Sequence, residues 1–137
     1  MTSMLTPALA LIALTLLVWV FMYATRIPAM QKMGINPQDA RHPGSLTALP
    51  GSVRQVADNY NHLMEQPTIF YALVFYIVLS GHTDELHIML AWAYVVLRVA
   101  HTAVQCTVNV VTARFLVFAL STFVLMAMAG RELLFLL

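Results

Sequence analysis

The sequence predicts an all-α integral membrane protein, an antiparallel bundle of four transmembrane helices that forms one domain over residues 1–137. Hydrophobic residues make up 61% of the chain and charged residues only 9%, a balance that suits no water-exposed surface. The apolar residues fall into four runs, each close to the roughly 20 residues that a helix needs to cross a bilayer. The short alternating segments of a membrane β-barrel are absent from the sequence.

Helix one is expected at about residues 5–25. The first charge, Arg26, follows this run instead of preceding a short apolar core, so the segment reads as a retained span and not a signal peptide. Helix two is expected at about 53–79, with a polar beginning and Pro67 inside it. That proline takes a backbone donor from the Leu63 carbonyl and predicts a kink. Helix three is expected at about 86–110 and helix four at about 112–136. Residues 26–52 hold Pro28, Gly34, Pro37, Pro43, Gly44, Pro50 and Gly51 and read as a loop. The other two connections are short, which makes successive helices antiparallel neighbours.

Charge orients the bundle. Arg26, Lys32, Arg41 and Arg54 outweigh Asp39 around the first loop, and Arg114 stands by the third connection. The second connection has Asp84 and Glu85 without Lys or Arg. The positive-inside rule therefore puts loops one and three in the cytoplasm and both termini on the other side of an inner or plasma membrane. A net charge of +1 gives no reason to expect nucleic-acid binding. The single Cys106 excludes an internal disulfide and a multi-cysteine metal site.

The few polar residues are not scattered. On a wheel of about 100° per residue, Arg54, Asp58, Asn61 and Glu65 share one narrow face of helix two, with His62 on its flank and Asn59 well away. Helix three carries a matching face of Tyr94, Arg98, His101, Gln105 and Asn109, which His87 and Ala91 extend. A charge facing lipid costs at least about 2.5 kcal/mol, so both faces are expected against protein or a polar cavity. Glu65 lies about 16 Å above Arg54, and Arg98 about 18 Å above the same surface. A Glu65–Arg98 ion pair, within one chain or between chains, is therefore expected. His62 and Glu65 have the spacing of one half of a bundle metal site, but the second half is missing and the Arg and Asn neighbours suit anions, so no metal is expected.

The segments N61-H62-L63-M64-E65 with P67-T68-I69-F70, L97-R98-V99-A100-H101, Arg114 opening helix four, and Arg26 and Lys32 after helix one together resemble the MAPEG family, the membrane-associated proteins of eicosanoid and glutathione metabolism. The resemblance implies a homotrimer with glutathione bound between subunits near the cytoplasmic side. It gives Arg114 the catalytic role of stabilising the thiolate. Arg26, Lys32, Arg54, Asn61, His62, Glu65, Arg98 and His101 would be the ligand-binding set. The chain departs from the family pattern at Asp58, where an Arg is common, and at His62, where an Asn is common. The family's usual Tyr residues on helix three are replaced by His101 and Gln105.

Two functions follow from these readings. One is a glutathione-dependent transferase or peroxidase acting on a lipophilic small molecule delivered from membrane lipid. The other is a non-catalytic lipid-binding or accessory membrane protein, in which the polar faces are glue between helices.

Overall fold

The computed structural model describes residues 3–36, 38 and 48–137. Asp39 and Arg41 of the charge count, and Pro37, Pro43 and Gly44 of the first loop, lie outside the described residues. The described residues form five helices: α1 (Leu5–Met33), α2 (Gly51–Leu63), α3 (Gln66–Leu79), α4 (Glu85–Cys106) and α5 (Val111–Phe135). α2 and α3 together make one membrane-crossing segment, Gly51–Leu79, so the bundle has four spans. The end of α1, the start of α2 and the α4–α5 connection lie at one end of the bundle, the loop end; the start of α1, the end of α5 and the α3–α4 turn lie at the other, the terminal end.

α1 runs eight residues past the expected Thr25, so residues 26–33 are helix and not loop. Pro28 does not stop it. The helix stops at Gly34, whose left-handed backbone (φ 69°) lets its N–H reach the Gln31 and Met30 carbonyls. The second span breaks at Met64 and Glu65, and Pro67 stands in the opening turn of α3, where its missing donor costs little. α4 opens at Asp84, whose carboxylate accepts from the His87 N–H at 2.8 Å.

α4 is the central helix and packs against α1, α2 and α5. Its buried line is His87, Ala91, Tyr94, Arg98, His101 and Gln105, mostly polar from one end to the other. The apolar part of the core sits towards the terminal half, where Leu11, Phe70, Val74, Ile77, Ala91 and Met128 are fully buried. The rings of Phe70 and Tyr94 stack there at 4.5 Å. Many large apolar side chains, among them Leu16, Leu17, Phe123 and Leu133, point outward, as lipid-facing residues must. Lipid removes the usual hydrophobic drive for helix association, so polar contacts and close packing hold the spans together. Gln66 is such a node: its Nε2 donates to Thr122 on α5 (2.8 Å) and its Oε1 accepts from the Tyr94 hydroxyl on α4 (3.1 Å).

Candidate functional site

At the loop end a pocket of about 200 Å³ opens between α2, α4 and α5, lined by His62, His101, Val111, Arg114, Phe115 and Phe118. The His62 and His101 rings stack at 4.7 Å with only 11° between their planes, and Phe118 meets His62 edge-on at 5.0 Å. The Nδ1 atoms of both histidines are buried without a hydrogen-bond partner. Arg114 donates from Nη1 to Asn109 Oδ1 at 2.8 Å. Asn109 holds a positive φ of 48° in the tight α4–α5 connection, a conformation that Asn tolerates better than most residues. The result is a small mouth with one guanidinium, two imidazoles and two aromatic rings.

The polar face of α2 does not point into the chain's own core. Arg54, Asp58, Asn61 and Glu65 are all exposed, and α2 instead buries Val56, Ala57, Asn59 and Leu63. The expectation that the stripe faces protein or a cavity is therefore not met within a single chain. The reason is that α2 has a better-packing side to turn inward. Asn59, set apart from the stripe by the wheel, is fully buried on that side and donates to Thr102 on α4 at 3.2 Å.

The Glu65–Arg98 pair is likewise not formed within the chain. Arg98 is fully buried, and its Nε, Nη1 and Nη2 have no hydrogen-bond partner in the chain. Glu65 stands exposed at the α2–α3 break, where the helix interruption turns it away from the bundle. Of the remaining residues of the set, Arg26 is half-buried with an unpartnered Nε, while Lys32 is exposed at the end of α1. The pocket thus gathers His62, His101 and Arg114; Arg26, Lys32, Arg54, Asn61, Glu65 and Arg98 do not line it.

A second polar cluster stands at the terminal end, and of its members the helical wheel singles out only His87. Glu132 on α5 is buried, with Oε2 at 2.6 Å from His82 Nδ1 and Oε1 at 2.8 Å from the fully buried His87 Nε2. Beside it Arg131 makes a two-pronged ion pair with Asp84, at 2.7 and 3.1 Å. That pair holds the Asp84 carboxyl well below the usual carboxylate range, with the His87 N–H as a second cause. A signal was available: in an antiparallel bundle the last turn of the fourth span and the HTDE turn must share one membrane end. Among the described residues no three His, Cys, Asp or Glu side chains converge to hold a metal ion.

Three apolar spans around a fourth, polar central one, with a cationic pocket where α4 meets α5, define a multi-pass helical membrane protein. Residues 4–134, nearly the whole chain, match the MAPEG family, and the protein belongs to it. No curated protein matches the chain.

Proposed function

We propose that this protein is a glutathione-dependent transferase or peroxidase that acts on a lipophilic electrophile as a homotrimer, with its loop end in the cytoplasm. The observation that carries the reading is the loop-end pocket with Arg114 on its wall. A guanidinium beside a thiol favours the thiolate, which is the nucleophile. The adjacent imidazoles offer acceptor nitrogens for the proton. Phe115 and Phe118 supply an apolar surface on the lipid side for the second substrate.

A pocket of about 200 Å³ is smaller than the roughly 300 Å³ at which small-molecule sites begin. It suits the thiol end of a tripeptide and not the whole of it. The remainder needs a second wall, and the exposed Arg54, Asn61 and Glu65 face of α2 suits that task if a neighbouring chain presents it. An exposed charged stripe inside a bilayer is otherwise costly. Arg26 and Lys32 add positive charge for carboxylates at the same end.

A second reading, a non-catalytic lipid-binding or accessory protein, draws on two observations. Arg114 is already engaged by Asn109, and Asp58 on the exposed face would repel a carboxylate. Under that reading the polar line of α4 is interhelical glue, worth about 0.6–2 kcal/mol per bond. Calorimetric titration of glutathione into the protein in lipid nanodiscs separates the two. Binding that is lost in Arg114→Ala is the expected result, and no heat from the wild type would favour the second reading. Cross-linking in native membrane that stops at a monomer would remove the trimer.

A further inference from the structure

The terminal end carries a feature that the thiol chemistry does not use and on which the following inference does not depend. A cleft of about 360 Å³ runs between α3 and α5, lined by Leu73, Tyr76, Ala129, Glu132, Leu133 and Leu136. Among the described residues Glu132 is its sole charged lining residue, and it is 5% exposed. Tyr76 and Leu133 are exposed on the side of the chain, and Leu136 at its edge, so the cleft opens sideways from the bundle.

The one guanidinium beside Glu132 is not available to it. Arg131, the nearest cation in sequence, is committed through two hydrogen bonds to Asp84. From the α3–α4 turn and α4, His82 and His87 each place one ring nitrogen against one carboxylate oxygen. In that arrangement the ring nitrogens donate, the carboxylate accepts on both oxygens, and a spare lone pair remains on each oxygen. Asp84 and Arg131 offset one another, and the Glu132 carboxyl stands at the wall of an apolar cleft with no guanidinium or ammonium on it.

The position of that charge along the membrane is equally specific. Glu132 lies three residues, about 5 Å, from the end of α5. Ala129 and Leu73 continue the cleft inward, away from the membrane surface. A charged group at the surface with an apolar wall leading inward is the negative of a single-chain amphiphile.

We propose that the α3–α5 cleft binds a lipophilic primary amine, with its ammonium group on Glu132 and its alkyl chain along Leu73, Ala129 and Leu133. An ammonium donates to the spare carboxylate lone pairs and neutralises a buried charge, which an alcohol of the same length cannot do. A phospholipid amine is disfavoured because its phosphate would come close to the same carboxylate.

The test is the thermal unfolding of the full chain in neutral maltoside detergent with added dodecylamine or dodecanol. Dodecylamine is expected to raise the midpoint in a saturable way, and dodecanol to do so with an apparent affinity about tenfold weaker or worse. Glu132→Gln should reduce dodecylamine to the level of dodecanol. Because Glu132→Gln also disturbs the histidine contacts, Ala129→Phe gives a second arm: it fills the cleft, leaves the polar cluster intact, and should abolish the dodecylamine shift. Equal stabilisation by amine and alcohol, or an undiminished amine shift in Ala129→Phe, would overturn the proposal.

Discussion

His87 Nε2 lies 2.8 Å from Glu132 Oε1, so the first turn of α4 is tied to the last turn of α5 by two buried side chains. With His82 on the other carboxylate oxygen, a single acidic residue fastens the α3–α4 turn and two helices at the terminal end. Removing one member of such a buried set leaves its partners desolvated and unpaired. Glu132→Gln should therefore destabilise the bundle by about 1–3 kcal/mol, the cost of leaving a buried hydrogen-bonding group without its partner. A midpoint shift in detergent that matches an exposed control such as Glu85→Gln would contradict this.

The neighbouring Asp84–Arg131 pair predicts an acid limb. The folded-state affinity of the Asp84 carboxyl for a proton is depressed by Arg131. A depressed folded pKa stabilises the fold above the unfolded value, and that stabilisation is lost as pH falls through the folded one. The contribution should thus be constant above about pH 4, the ordinary carboxylate range, and decline below it. In Asp84→Asn this part of the acid-side loss should be absent. Identical acid profiles for wild type and variant, measured by thermal unfolding, would show that the pair adds nothing in solution.

Arg114→Ala should abolish any thiol-dependent activity while leaving the fold intact. The side chain is half-buried at the pocket mouth, and its truncation leaves only Asn109 Oδ1 near solvent without its donor. Conjugation or peroxidase turnover that survives in the variant, with unchanged unfolding, would move the thiolate role to another residue.

Asn59→Ala should cost about 1 kcal/mol, the usual size of an interhelical hydrogen bond inside a membrane protein. Its bond to Thr102 is one of the few polar ties between α2 and α4. In a cycle with Thr102→Val the two losses should be non-additive by at least about 0.5 kcal/mol. Additive losses would show that the two side chains do not meet.

A Glu65→Gln and Arg98→Met cycle asks a different question, because the chain keeps these two residues apart. Within a monomer held in dilute detergent the effects should add to within about 0.5 kcal/mol. Coupling above that in the monomer would mean that Glu65 swings inward to Arg98. Coupling that appears only in the assembled protein would locate Glu65 against a neighbouring chain.

The four spans, the polar character of α4 and the family were legible in the sequence, because each follows from length, hydropathy or short motifs. A run of about 20 apolar residues has one low-energy solution in a bilayer, a helix with its backbone satisfied internally. His101, Gln105 and Arg98 fall on one side of α4 by helical geometry alone, and the structure buries all three. Which side of α2 turns inward was not legible. A wheel ranks faces by polarity, but Asn59 went into the core and Arg54, Asp58, Asn61 and Glu65 went outside, since helix packing rewards shape as well as polarity. The length of α1 was not legible either, because the helix accommodates Pro28 and ends only at the left-handed Gly34. The Glu132 cluster joins residues about 50 positions apart. Sequence spacing describes neighbours along one helix, whereas only the docking of α5 against α4 decides which carboxylate meets which imidazole.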